Sequence, residues 1–209
     1  MYYSTLRREL KTGDIVGFTG KGYLSGAIRV FCSVMTVFRW MFGKATWQQI
    51  RTAWSHVGVI VVDSGRVMLF ESTSIRGGVK GVRLAAFSEV VESYKGKIAV
   101  RQLKANIDVM IVDEFVVETL GKPYEMHLLE LMGSAWDGWL TGHNKQDETY
   151  FFCSELVAAL YQRLGLLPSE PPSNEYTPED FRQGGKVDFT FQSTPVSLGR
   201  EIEVEVKQK

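Results

Sequence analysis

The chain has 209 residues, of which 44% are hydrophobic and 23% charged, proportions typical of a globular protein. This length fits one domain with a sizeable core, and we expect a single domain over residues 1–209. Lys+Arg and Asp+Glu both number 24, which argues against a nucleic-acid-binding surface because such a surface needs a basic excess. Two cysteines cannot form a disulfide scaffold.

The first residues lack the apolar segment of a signal peptide, and the sequence therefore predicts a cytoplasmic location unless an unrecognised export route exists. Residues 23–42 are nearly long enough to cross a membrane, but they carry Arg29 and Arg39, which are unfavourable in lipid. We interpret this window as amphipathic.

Residues 10–20 predict a turn followed by a short β-prone strand. The next segment has apolar residues at mostly three- and four-residue steps, namely Leu24, Ile28, Phe31, Met35, Phe38 and Phe42. Such a stripe is typical of a helix, and we interpret residues 24–50 as an apolar helical insertion. It could face the core, or residues 24–47 could contact lipid, a peripheral membrane surface or a partner, since three further bulky residues lie nearby.

Residues 54–72 predict a β-hairpin with an Asp-Ser-Gly turn. His56 begins the first strand and Glu71 ends the second, and counting outward from Ser64 places them nearly opposite each other. A histidine facing a carboxylate is the base-and-orienter arrangement that activates a nucleophile. A histidine that begins a strand can equally be structural.

Further strands are predicted at residues 79–84 and 98–103, with a short helix at 87–94 between them. Residues 108–120 predict a longer helix that is capped by Gly121. After residue 167 the sequence is typical of a loop, with a helix-start signal at Thr177. Alternating apolar and acidic residues at 201–206 indicate a closing edge strand.

Cys153 begins a segment with apolar residues at helical spacing and a stop signal at Gly165. A thiol at a helix N-terminus has a lowered pKa, and the free N–H groups there can stabilise an oxyanion. The other interpretation is that Cys153 is a small buried core residue. Cys32 lies on the apolar insertion and is interpreted as packing. His127 and His143 lack metal-ligand partners at suitable spacing, and we expect no metal or cofactor.

Several short segments together resemble the circularly permuted branch of the NlpC-type, papain-like cysteine hydrolases, which includes the YiiX and YaeF proteins. The matching segments are LKTGDIV at 10–16, WSHVG at 54–58, FES at 70–72, GKPY at 121–124, FCSELV at 152–157 and YTPEDF at 176–181. The resemblance implies an α+β fold in which a small antiparallel sheet packs against the nucleophile helix. It implies Cys153 as nucleophile, His56 as general base and Glu71 as the residue that orients the imidazole. It also places Tyr124 beside the site.

Three functions follow as hypotheses. The first is a thiol hydrolase that cleaves an amide or ester bond through an acyl-enzyme, with bacterial cell-wall peptide as a possible substrate. The second is a lipid acyl hydrolase or acyltransferase similar to the lecithin:retinol acyltransferase group, favoured by the apolar insertion. The third is a binding protein that keeps the fold without turnover, against which the complete Cys–His–Glu set argues.

Overall fold

The computed structural model describes residues 1–19, 54–73, 81–123, 152–192 and 194–205. Its strands are β1 (Ile15–Thr19), β2 (His56–Asp63), β3 (Arg66–Thr73), β4 (Gly81–Ala86), β5 (Lys97–Arg101), β6 (Leu103–Lys104), β7 (Ser197–Leu198) and β8 (Ile202–Glu203). Its α-helices are α1 (Tyr3–Leu6), α2 (Phe87–Ser93), α3 (Val109–Thr119), α4 (Cys153–Arg163) and α5 (Lys186–Phe191). Two short 3₁₀ helices cover Ser173–Glu175 and Pro178–Phe181. The chain is therefore of the α+β class.

Six strands form one antiparallel sheet in the order β4-β3-β2-β1-β5-β8. The β2–β3 hairpin lies near its middle, and Ser64 and Gly65 make its turn with φ angles of 47° and 77°. Two consecutive positive φ values are those of a type I′ turn, whose twist matches that of the paired strands. The hairpin and its turn, predicted from the sequence, are confirmed.

Alternate residues of the sheet enter two separate hydrophobic clusters. Val57, Val59 and Val61 of β2 belong to a cluster that includes the buried residues of α4. Ile60, with the opposite orientation, belongs to a cluster that includes residues of α1 and α2. The sheet is thus covered on both faces, and α4 packs on one of them.

Arg101 secures the C-terminal part of the described chain. Its side chain is only 1% exposed, and its guanidinium donates to both carboxylate oxygens of Asp188 at 2.8 and 3.0 Å. It also donates to backbone carbonyls of Phe181, Leu198 and Gly199. Because a buried charge requires this degree of pairing, Arg101 fixes α5 and the loop before it against the sheet.

Most elements predicted in the described ranges are confirmed, with small shifts of their ends. The helix that begins at Cys153 ends at Arg163, where its apolar spacing predicts, and Gly165 follows it with a φ of 69°. The edge strand at the C-terminus is confirmed only over Ile202–Glu203. The helix α5 lies in the segment that was predicted to be a loop, and that prediction is wrong there.

Candidate active site

Cys153 is the first residue of α4, as the sequence predicts, and its side chain is buried with 4% exposure. Phe152 precedes the helix in an extended conformation, and its N–H donates to the Glu155 carboxylate at 3.3 Å. This contact satisfies one of the N–H groups that a helix start leaves without a backbone partner. The backbone N–H groups of Ser154 and Val57 favour the thiolate of Cys153 and help to lower its pKa.

His56 and Glu71 lie within side-chain reach of each other, as predicted, although their positions are offset along the strands rather than directly opposite. The β2–β3 register pairs Val59 with Phe70, so Glu71 lies opposite Gly58 and His56 is offset from it by two residues. His56 and Gly58 share one face of the strand. Because Gly58 has no side chain, the space between His56 and Glu71 stays open. A Cβ on Gly58 would lie 3.2 Å from that of Glu71 and 2.9 Å from the Phe70 carbonyl oxygen.

The carboxylate of Glu71 is fully buried and contacts the side chains of His56 and Arg83. Its Oε2 lies 2.6 Å from Nε2 of His56. Its Oε1 accepts hydrogen bonds from Nη2 and Nε of Arg83 at 2.8 and 3.1 Å. Arg83 reaches it because the β3–β4 register pairs these two residues directly. A short bond to a buried, ionised acceptor fixes the orientation of the imidazole.

Cys153 and His56 interact with each other, and each favours the charged form of the other. Since Glu71 engages Nε2 of the ring, the remaining nitrogen, Nδ1, is the one available to the thiol. The centroid of the Phe18 ring lies 5.3 Å from that of His56 and restricts the imidazole from the neighbouring strand. The three predicted residues of the site therefore form a continuous chain of contacts from Cys153 through His56 to Glu71.

The charges of this pair shift both pKa values toward the ionised forms. Burial alone would favour neutral His56, but the Cys153 thiolate, its hydrogen bond and the Glu71 carboxylate outweigh it and raise the pKa of His56 to about 9. Burial also opposes ionisation of Cys153. The His56 charge and hydrogen bond, with the backbone N–H groups, nevertheless hold the pKa of the thiol below its ordinary value. The favoured state is a thiolate–imidazolium pair, the activated form of a cysteine nucleophile.

Glu179 supports the segment that leads into His56. Its carboxylate accepts a hydrogen bond from the backbone N–H of Trp54, and Ser55 donates its N–H to the Phe18 carbonyl. Burial raises the pKa of Glu179 to about 7, although Arg182 and the Trp54 bond favour the charged form. Glu179 is therefore a structural contact between the Pro178–Phe181 turn and the start of β2.

Sequence reasoning missed Arg83 and Glu179 as residues of this region. An arginine within a strand otherwise made of small and apolar residues, Gly81–Ala86, was a signal for a buried acidic partner. Glu179 had no comparable local signal, because its partner Trp54 lies 125 residues away in the sequence.

Tyr124, Cys32, His127, His143 and the predicted insertion at 24–50 lie outside the described residues. Their predicted roles stay predictions. Over the described ranges no helix is long and apolar enough to cross a membrane. The same ranges contain no group of three or more His, Cys, Asp or Glu residues placed to hold a metal ion.

The chain is similar to known proteins at the level of solved structures. No protein-family model matches the sequence, and no curated protein matches it. Among solved structures, the chain is similar to the crystal structure of the metalloprotein YiiX from Escherichia coli O157:H7, with a TM-score of 0.48 and 21% sequence identity. The match covers 74% of this chain and 66% of that one, so the chain spans just under two thirds of the YiiX chain. This structural neighbour belongs to the YaeF/YiiX-like group that the sequence motifs resemble.

Proposed function

We propose that this protein is a thiol hydrolase that cleaves an amide or ester bond through an acyl-enzyme on Cys153. The observation that carries the proposal is the arrangement in which the buried thiol at the start of α4 interacts with His56, whose Nε2 lies 2.6 Å from Glu71. Nucleophile, general base and orienting carboxylate are then in the mutual positions that covalent catalysis requires.

In the first half of the proposed reaction, the Cys153 thiolate attacks the carbonyl carbon of the substrate. A carbon–sulfur bond forms and the π electrons move to the carbonyl oxygen. When this intermediate collapses, the bond to the amine or alkoxide leaving group breaks, and the His56 imidazolium donates its proton to that group. Glu71 stabilises the cationic ring before this transfer, since its carboxylate is held 2.6 Å away.

In the second half, neutral His56 accepts a proton from water while the water oxygen attacks the thioester. The carbon–sulfur bond breaks, the carboxylic acid leaves, and Cys153 departs as the thiolate beside a protonated His56. The initial ion pair is thereby regenerated. Because the pair is favoured in the resting protein, neither half requires a separate base for the thiol.

The proposal includes the permuted papain-like fold. Its support is the packing of α4, with the nucleophile at its first residue, on an antiparallel sheet that carries His56 and Glu71. The chain order, with the histidine before the cysteine, is the permuted order of the resemblance. Cell-wall peptide stays the proposed natural substrate class.

The decisive experiment is detection of the acyl-enzyme. Wild-type protein would be mixed with p-nitrophenyl esters of two-, eight- and sixteen-carbon acids and, separately, with short acidic peptides. We expect a burst of p-nitrophenol and a mass increase equal to the acyl group, mapped to Cys153. The variants Cys153→Ala and Cys32→Ser form the matched pair: the first loses both signals and the second keeps them.

The substrates also separate the two enzyme hypotheses. A specificity constant that rises with acyl length, by about 0.8 kcal/mol of binding per buried methylene, would favour the lipid enzyme over the peptide hydrolase. A flat dependence with peptide cleavage would favour the peptide hydrolase. Absence of any acyl adduct on Cys153 from all of these substrates would refute the proposed function.

A further inference from the structure

The buried carboxylate of Glu71 contacts Arg83 as well as His56. Glu71 has 0% side-chain exposure, whereas Arg83 is 15% exposed at the adjacent position on β4. Two guanidinium nitrogens, Nη2 and Nε, donate to the same oxygen, Oε1, and leave Oε2 for the imidazole. The two oxygens of one carboxylate are thus divided between a permanent cation and the candidate catalytic base.

This division matters because burial by itself disfavours a charged carboxylate. A glutamic acid that kept its proton would no longer offer a negative charge to His56. An arginine side chain stays protonated at every accessible pH, and the N–H groups of its planar guanidinium hold a carboxylate in a fixed orientation. Arg83 therefore supplies the charge and the geometry that keep Glu71 ionised and directed at Nε2 of His56.

We infer that Arg83 is a positioning residue of the site, acting on the reactivity of Cys153 through Glu71 and His56. The inference rests on the proposed function for its catalytic meaning, but the chain of charges can be measured without any substrate. Removal of Arg83 should allow a proton onto Glu71, weaken the stabilisation of the imidazolium and return Cys153 toward an ordinary thiol.

The test is a double-mutant cycle on the alkylation of Cys153 by iodoacetamide as a function of pH, in a Cys32→Ser background. We expect Arg83→Met to slow alkylation at pH 6 by up to about tenfold for each unit by which it raises the thiol pKa, since the ionised fraction changes tenfold per unit once the pKa lies above the assay pH. The alkylation rate of Arg83→Lys, which keeps the positive charge but lacks the planar guanidinium, should lie between the rates of Arg83→Met and wild type. In a Glu71→Gln background, adding Arg83→Met should change the rate by less than about twofold, because the charge to be paired is gone.

The matched control is Arg66→Met, which removes the same charge from an exposed position on β3 and should leave the profile unchanged. Circular dichroism and urea unfolding would verify that each variant is folded. If Arg83→Met does not fold, the alkylation rates of Arg83→Lys are compared instead, once with Glu71 present and once in the Glu71→Gln background. The inference is overturned if the Arg83 substitution has no effect on the profile, or has the same effect with and without the Glu71 carboxylate.

The outcome also separates this inference from the proposed function. A protein that forms no acyl-enzyme but shows the Arg83 dependence would refute the hydrolase and leave the inference standing. If instead the protein turns over esters on Cys153 and the Arg83 variants show an unchanged alkylation profile, the hydrolase proposal stands and the inference about Arg83 is refuted.

Discussion

His56→Ala should convert Cys153 from an activated thiolate into an ordinary or weaker thiol. The structure places the thiol beside an imidazole whose pKa is about 9, so the ring is cationic throughout the neutral range. The ion pair is lost when the pH rises through that value or falls through the lowered pKa of the thiol. Without the ring, the burial of Cys153, which is the largest single influence on its pKa, remains and opposes ionisation.

The size of the effect follows from the ionised fraction of the thiol. An ordinary thiol with a pKa of about 8.5 is only about 0.3% ionised at pH 6, which sets a loss of up to about 300-fold in alkylation rate relative to a fully ionised thiol. A less basic thiolate is intrinsically less nucleophilic, with a Brønsted slope of about 0.4–0.5, and this offsets part of the difference. We therefore expect a loss of at least about tenfold at pH 6.

The assay is iodoacetamide labelling between pH 5 and pH 9 with mass mapping of Cys153, supported by thiolate absorbance in a Cys32→Ser background. Thiolate absorbance needs no access of reagent to the buried sulfur, and it therefore separates ionisation from accessibility. His143→Ala is the matched control and should behave as wild type. Identical pH profiles for wild type and His56→Ala, or faster labelling of Cys32 than of Cys153 in the wild type, would refute the reasoning.

Two further predictions concern the framework of the site. Gly58→Ala should lower the free energy of unfolding by about 1–3 kcal/mol and slow Cys153 alkylation at pH 6, because the added Cβ would press on Glu71 and the Phe70 carbonyl. The control Gly199→Ala, whose added Cβ would have its nearest contact at 3.4 Å, should change neither quantity. Urea denaturation and iodoacetamide labelling measure the two effects, and an unchanged Gly58→Ala protein would contradict the prediction. Asp14 is buried and its pKa is raised to about 6 from 3.8, so the folded state favours its protonated form and stability falls as the pH rises through this window. That fall amounts to about 2 kcal/mol between pH 4 and pH 6, and Asp14→Asn should reduce it in urea titrations at the two pH values. An equal slope in the variant would show that other groups cause it.

Elements defined by local interactions were predictable from the sequence. The β2–β3 hairpin follows from alternating apolar residues on both sides of a turn whose residues tolerate positive φ. The helix that begins at Cys153 follows from its apolar spacing and from Gly165, which takes up the left-handed conformation after its end. Cys153 and His56 were identified because each begins such an element, and Glu71 because it lies near the end of the second hairpin strand.

Elements held by distant partners were not predictable in this way. The helix α5 has only six residues, of which Val187 and Phe191 are buried, and it is anchored by Asp188 to Arg101, which is 87 positions away. Such a short helix is unstable alone, so its formation depends on the tertiary contact. Sequence periodicity therefore indicated a loop.

The internal arrangement of the site was likewise decided by tertiary structure. Counting from the turn placed His56 nearly opposite Glu71, but the register sets them two residues apart across Gly58, because the strands pair from Asp63 and Arg66 outward. The contact of Glu71 with Arg83 arises only because β4 pairs with β3 as the next strand of the sheet. Strand order and register are properties of the assembled sheet, since the hydrogen bonds that fix them join residues that no local pattern connects.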